Sequence, residues 1–598
     1  MMKKINLFLA LIVCTSAWSQ SKIEGHIYDQ TTNTPLPYCS IKIYGSKEDY
    51  TITNEDGKFA IGYEFANDSL EIRHIGFKPK KEALSYFKSE PRLYLETDVS
   101  ALDEVVLTAG EDKEYPYKLL AQVVEKYRAK NKVTHSKAFL KLSSSARNIP
   151  IEQIEGFYNS GQSLSEGILD LKVKSGRFGQ NKKFAFYSLD NTKILSDFEL
   201  FGTTGQLLPN YPGNMNYEAI FRKYKVRIDP CTSCNEQDVA IAFFPKRPNG
   251  RLFYGKLIVD HARLIVKRIE LGVKEPSITN LASINDNIEL IPMEMQLDIA
   301  FDPMDLDKIQ YLNLSLRMDY RFDNFSEIID SRTFLYTYDY DSTFEMPYFT
   351  EELSFNNDYD KIIALQASDH FWESNYQFPK SFKDNRSMNF MKEHGYLINY
   401  NSYIPLSDLM YAKPSVLSWH KDYRLHWEHL TNFMPVEEDK TARKNARGNR
   451  DVTVGKSFDS PVAAHIKSTG VKNSKGLNIT YMVDRYLDGE GKNKTVSRTL
   501  LDLNASQFNN DGSRNRLAYI NIIFDIYEVY RQLASSRITE SMGSEEAKAI
   551  FDEIYQGAAI EVKKMERETQ RGADQEALRL WNRRINARLG VDNLSLNR

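Results

Sequence analysis

Residues 51–63 read TITNEDGKFAIGY. On both sides of Asn54-Glu55-Asp56-Gly57, β-branched and aromatic residues alternate with polar ones, as in two half-buried strands joined by a tight turn. Asp56-Gly57 supplies the positive φ angles such a turn demands, and Ile52, Phe59 and Ile61 are spaced to bury one face. The stretch predicts a β-hairpin.

The pattern repeats outward. KIEGHIYD, YCSIKIYG, SLEIRHIGF and PRLYLETD are short alternating runs between Lys22 and Leu107, separated by TTNTPLP, FAND and a lysine-rich turn. Short strands at such spacing predict a small all-β sandwich.

The succession GHIYDQTTNTPLPYCSIKIYG (25–45), TNEDGKFAI (53–61) and LEIRHIGFKPKK (70–81) resembles the carboxypeptidase regulatory-like domain. That resemblance implies a seven-stranded, Ig- or transthyretin-like sandwich over about residues 22–107. Similar domains stand beside metallocarboxypeptidase catalytic domains and ahead of the plug of TonB-dependent outer-membrane receptors in Gram-negative bacteria. LDEVVLTA (102–109) also resembles the segment that follows the domain in those receptors. The resemblance therefore implies an envelope protein of a Gram-negative bacterium.

The chain of 598 residues exceeds what one core supports, so several domains are expected. Its 78 basic and 81 acidic residues give a net charge of -3, which offers no field for gathering nucleic acid. The N-terminus, MMKKINLFLALIVCTSAWSQ, has the basic start, apolar run and Ala17/Ser19 pattern of a signal peptide cleaved before Gln20. Cys14 partly resembles a lipoprotein cleavage site, but Val13 stands where a small residue is preferred, so lipidation is the lesser reading. No segment is apolar for the roughly 20 residues a membrane-spanning helix needs. The expected location is the periplasm, or peripheral association with the outer membrane.

The remaining organisation follows from periodicity. Residues 1–19 read as the signal peptide, 20–109 as the sandwich, and 110–135 as a linker with an amphipathic helix carrying Leu119, Leu120, Val123, Val124 and Tyr127 on one face. Residues 136–350 read as a large antiparallel β domain with a curved, half-barrel-like pattern, including a hairpin that turns at Asp260 to Arg263. Residues 351–510 are mixed and irregular, and 511–598 are helical, with Gly543, Gly572 and Gly590 near the breaks. The fold class is thus mainly β and multidomain, with a helical C-terminal region.

Two clusters bear on chemistry. His370-Phe-Trp-Glu373, with His465 downstream, has the His-x-x-Glu spacing of a zinc carboxypeptidase, yet its surroundings lack that signature and an aromatic anchor of Phe371 and Trp372 is preferred. WHKDYRLHWEHL places His420, His426, Glu428 and His429 within ten residues, but Tyr423, Leu425 and Trp427 favour a strand that would send His429 away from His426 and Glu428. Neither is assigned zinc, and no cofactor is expected. Cys231 and Cys234 form a small loop disulfide or a pair of free thiols. KTARKNARGNR (440–450) reads as a solvated basic loop.

No nucleophile elbow, phosphate-binding loop or dinucleotide fingerprint occurs, so no catalytic residue is nominated. A 22-stranded receptor barrel with its plug would need more chain than follows residue 109, and the ending is helical. The expectation is a non-catalytic envelope protein that binds or assembles with an envelope protein or an apolar ligand. The alternatives are a metal-dependent hydrolase or peptidase, and a lipid or lipoprotein carrier built on the central sheet.

Overall fold

The computed structural model describes residues 21–44, 49–63, 68–98, 113–182, 191–202, 208–229, 238–277, 288–322, 324–355, 358–365, 369–375, 377–400, 415–430, 476–488, 491–506 and 512–595. Two compact units divide the chain: residues 1–346, 357–412 and 485–494 form the first, and residues 347–356, 413–484 and 495–598 the second. The first is mostly sheet.

Its N-terminal part has seven strands: β1 (Ser21–Asp29), β2 (Ser40–Tyr44), β3 (Asp49–Ile52), β4 (Lys58–Tyr63), β5 (Ser69–Arg73), β6 (Lys80–Ala83) and β7 (Arg92–Leu95). They form one sheet ordered β4-β1-β7 and another ordered β3-β2-β5-β6. Between them Ile27, Phe59, Ile61, Leu70, Ile72 and Leu93 are fully buried, each such side chain contributing roughly 1.5–3 kcal/mol relative to exposure. A helix, Leu84–Ser89, buries Leu84 and Phe87 where the sequence suggested only a turn. Its single turn is too short for periodicity to reveal.

The opening stretch folds differently from a plain hairpin. Gly57 N–H donates to Asn54 O at 2.9 Å and Asn54 N–H donates to Lys58 O at 2.8 Å, so a tight turn forms. The strands then part, β3 pairing with β2 and β4 with β1. Only Gly57, at φ 71°, takes the left-handed conformation; Asp56 does not. Phe59 and Ile61 enter the sandwich core, whereas Ile52 packs on the neighbouring large sheet. Alternation within each run was legible, but which partner each run pairs with depends on contacts far along the chain.

The large sheet contains β8 (Thr134–Ala146), β9 (Ile149–Ser163), β10 (Gly167–Asn181), β11 (Tyr224–Asp229), β12 (Asp238–Pro245), β13 (Tyr254–Asp260), β14 (Ile265–Lys274), β15 (Ile288–Asp302), β16 (Asp305–Phe322) and β17 (Phe325–Tyr338). It is ordered β11-β12-β13-β14-β15-β16-β17-β8-β9-β10, with the later strand β19 (Gly395–Ile398) added at the β10 edge. The sheet is antiparallel and unclosed. At the β13–β14 turn, Arg263 N–H donates to Asp260 Oδ1 at 2.9 Å, as the expected hairpin requires.

Pairing sets two chemically distinct faces. On one, Leu257, Ile269, Leu297, Leu314, Leu142 and Ile154 are 0–2% exposed. The other runs from aromatic to polar. Its aromatic part holds Phe139, Phe157, Tyr311, Phe334 and Tyr336, against which Ile52 of the sandwich packs. Tyr38 stacks on Phe334 with ring centroids 4.7 Å apart, and Phe378 on Phe139 at 4.4 Å. The helix Tyr115–Arg128 buries all five of the apolar residues expected of it.

A four-stranded sheet lying mostly in the second unit is ordered β18-β21-β22-β20 and uses β18 (Tyr348–Phe349), β20 (Val416–Ser418), β21 (Asn478–Leu487) and β22 (Asn493–Asp502). Three helices follow, Arg514–Arg537, Ser544–Glu568 and Gln575–Leu589. Gly543 precedes the second, Gly572 lies in the break before the third, and Gly590, at φ 70°, caps the third in the left-handed region. The segment around Leu425 is not a strand: Trp427–Leu430 is a helical turn, and Leu425 N–H donates to the Asn521 side chain at 2.9 Å. A buried side chain satisfies the backbone that a strand neighbour would otherwise have served.

Candidate functional site

Next to the aromatic patch, the same face of the large sheet becomes polar. Strand pairing aligns Ser143 with Arg332, Arg332 with Ser315, and Ser315 with Gln296, across β8, β17, β16 and β15. Two residues further along, the same register aligns Ser145, Asp330, Arg317 and Glu294. Residues directly opposite stand about 5 Å apart, so each row presents a continuous line of polar groups. These rows floor a cleft of about 670 Å³.

One wall is the helix Phe382–His394, which contributes Lys383, Arg386 and Ser387. Its N-terminus is fixed by a reciprocal cap: Asp384 N–H donates to Ser381 Oγ at 3.1 Å and Ser381 N–H to Asp384 Oδ2 at 2.9 Å. Lys141, two residues before Ser143 on β8, also donates to Asp384 Oδ2, at 3.0 Å. That ion pair holds the first turn of the helix over the Ser143 end of the floor.

The opening turn docks at the same place. Lys141 Nζ donates to Glu55 Oε1 at 2.6 Å, Asn54 Nδ2 to Pro379 O at 3.1 Å, and Phe382 N–H to Asp56 Oδ2 at 2.6 Å. Burial opposes the charge on Lys141, but the carboxylates of Glu55 and Asp384 overcome it and hold the ammonium above its ordinary range. Beside this junction, Glu155 accepts from Arg177 Nε at 2.8 Å, and the Arg177 guanidinium lies 3.8 Å from the Trp372 ring centroid.

Charge in the cleft is only partly compensated. Arg317 approaches Asp330 at 3.8 Å, and Glu294 accepts from Gln296 at 3.0 Å. Glu152 is 1% exposed and accepts from Ser144 Oγ at 3.3 Å. Arg332, Lys383 and Arg386 form no hydrogen bond or ion pair among the described residues.

The residues singled out from sequence lie elsewhere. His370 Nδ1 is 3.5 Å from Glu373 Oε2 on the short helix Asp369–Ser374, both side chains being about 70% exposed or more, at 70% and 74%. Phe371 from that helix is 3% exposed in the aromatic cluster. His420 Nδ1 accepts from Asp422 N–H at 3.2 Å and its ring lies beside Tyr423, while His426 is exposed. The side chains of Glu428 and His429 lie outside the described residues, as do His465, Cys231, Cys234, Cys14 and the 440–450 basic loop. Among the described residues, no three His, Cys, Asp or Glu side chains group as metal ligands would. No helix among them is long and apolar enough to cross a membrane.

Nothing local in the sequence marks the cleft as a site. Its trace is Ser143-Ser144-Ser145, an unusual serine run within a strand, but the partners of those serines come from three other strands.

Residues 23–107 match the CarboxypepD_reg-like domain. The rest of the chain has no assigned family. No curated protein matches the chain. Among solved structures, the Pseudomonas aeruginosa MucA/MucB complex is 8% identical over 37% of this chain and 93% of that chain, with a TM-score of 0.14. MucB in complex with MucA(peri) is 6% identical over 38% and 94%, with a TM-score of 0.12. A putative membrane-associated protein of unknown function from Bacteroides fragilis is 10% identical over 54% and 99%, with a TM-score of 0.10. Likenesses this slight carry no argument about what the chain does.

Proposed function

We propose that this is an exported, non-catalytic binding protein of a Gram-negative cell envelope, and that the polar cleft on the large sheet is its recognition surface. The observation that carries the reading is a cleft of about 670 Å³ lined almost wholly by polar side chains, three of them cations that form no hydrogen bond or ion pair among the described residues. That volume is in the range of small-ligand sites. The CarboxypepD_reg-like sandwich serves as a brace in this reading: its Asn54 to Gly57 turn clamps the segment that leads into the cleft-wall helix. The apolar face of the sheet is closely packed, with Leu257 and Ile269 fully buried, which favours a polar ligand over an acyl chain.

The test places an obstruction on the floor. The full chain should bind isolated envelope fractions saturably, and Ser315→Trp should abolish that binding while leaving the urea unfolding midpoint unchanged. Binding that survives Ser315→Trp overturns the assignment of the cleft.

A further inference from the structure

The cleft is chemically lopsided, and this points to a class of ligand. The floor contributes Arg332 to the lining and the wall contributes Lys383 and Arg386, and the Asp384–Lys141 bond seats the first turn of the helix beside the strand that carries Ser143, the partner of Arg332. In the second row of the floor, Asp330 and Glu294 are acceptors, already accompanied by Arg317 and Gln296. The hydroxyls of Ser143, Ser145, Ser315 and Ser387 make no hydrogen bond among the described residues.

Resting on the reading of the cleft as a binding site, we propose that it receives a phosphorylated polyol, the phosphate lying among Arg332, Lys383 and Arg386 and the hydroxyl-bearing scaffold over the second row. Two guanidinium forks and an ammonium lining one cleft suit the several oxygens of a phosphate dianion better than the two of a carboxylate. Serine hydroxyls both donate and accept, so they serve phosphate oxygens and ligand hydroxyls alike. Asp330 and Glu294 offer acceptors to the ligand's hydroxyls and would repel a second anion. Pro150 and Leu316 are the apolar residues of the lining, and Leu316 is 2% exposed, so only Pro150 offers an apolar side chain to an acyl chain or a stacked base.

A phosphorylated polyol could be free or could be the headgroup of an envelope lipid. Titration calorimetry of the full chain with glucose phosphate, and with glucose as the uncharged control, addresses the first source. Sedimentation with phosphatidylcholine vesicles carrying phosphatidylinositol phosphate, against plain phosphatidylcholine, addresses the second. Binding of glucose phosphate but not glucose, weakened about tenfold or more in Arg332→Gln and in Arg386→Gln, supports the proposal with a free ligand. Binding to the phosphorylated vesicles alone, equally sensitive to both variants, supports it with a lipid headgroup. Both arginines are solvent-exposed, so the folded state should be retained, as circular dichroism would report. No binding in either arm, or binding indifferent to both variants, overturns it. If Ser315→Trp still abolishes envelope binding in that case, the cleft stands and only its ligand class falls.

Discussion

Lys141 Nζ donates to both carboxylate oxygens of Glu55, at 2.6 and 2.9 Å, and so ties the turn of the N-terminal sandwich to a strand of the large sheet. The same ammonium reaches Asp384, the capping residue of the cleft wall, at 3.0 Å. One cation thus links the brace, the floor and the wall of the candidate site.

The two halves of this link should differ in strength. The Glu55 side chain is 40% exposed and that of Asp384 only 7%. Glu55→Gln should cost no more than about 1 kcal/mol, as for exposed pairs. Lys141→Met strands a buried carboxylate and should cost about 3 kcal/mol. Urea unfolding of both variants checks the difference; equal losses would refute it.

The link also has a pH dependence. Burial raises the pKa of Asp384, but Lys141 and the Ser381 hydrogen bonds outweigh it and leave the carboxyl below its ordinary range. A depressed carboxylate stabilises the fold above the pKa of the unfolded chain, and that contribution is lost as pH falls through the folded value. Acid unfolding of the wild type should therefore be steeper than that of Asp384→Asn, which begins weaker and has less to lose.

Asp302 should behave in the opposite sense. It is 6% exposed, and burial pushes its pKa up to about 6 although Met304 N–H donates to it at 2.8 Å. A raised carboxyl keeps its proton in the folded state after the unfolded chain has lost it. Stability from this site is then full below the unfolded pKa, falls as pH rises to about 6, and stays low above it. Asp302→Asn preserves the acceptor and should gain about 2 kcal/mol near pH 7, with little gain near pH 4, in paired urea titrations.

Gly57 is the point where the turn admits no side chain. Its φ is 71°, and a Cβ would stand 2.6 Å from Ile27 O, whose own N–H donates to Gly57 O at 2.9 Å. The backbone cannot retreat without losing that bond, so Gly57→Ala should cost about 2–3 kcal/mol. Gly590 has nearly the same φ, 70°, with nothing within 4 Å of a Cβ. Gly590→Ala should cost only about 1 kcal/mol, the left-handed conformation alone being at stake. Thermal melts of the two variants separate the steric part from the conformational part.

This contrast shows where the sequence was informative. Local periodicity was enough for the sandwich strands, for the Tyr115–Arg128 helix and for the three C-terminal helices, because each of those patterns is complete within one segment. Pairing was not local. Ile52 and Phe59 stand seven residues apart and look like facing members of one hairpin, yet they belong to different cores. The cleft floor was hidden for the same reason: Ser143, Arg332, Ser315 and Gln296 become a row only through the register of four strands. His370 and Glu373 drew attention by spacing, but spacing alone left them largely exposed on a short helix.

Arg424 and Asp525 form a buried ion pair in the second unit. Arg424 Nη2 donates to Asp525 Oδ1 at 2.5 Å, and Trp419 Nε1 donates to the same oxygen at 2.7 Å. Asn593 Nδ2 donates to Asp525 Oδ2 at 2.6 Å, while its own Oδ1 accepts from Arg424 at 2.8 Å. The Arg424 side chain is 6% exposed and that of Asp525 fully buried, so the cost of desolvation is large and is met only by the complete set of bonds. Burial pushes the Asp525 carboxyl up despite Arg424. Asp525→Ala should lower stability by about 3–5 kcal/mol, because it leaves the guanidinium buried and uncompensated. Asp525→Asn keeps the shape and the acceptor and should cost less. Asn593→Ala removes a hydrogen-bond partner of each ion without removing either charge, and should cost about 1–3 kcal/mol. That ranking, read from denaturation midpoints, would be contradicted if Asn593→Ala proved as damaging as Asp525→Ala. The pair would then owe its stability to the chain segment at Asn593 rather than to its own charges.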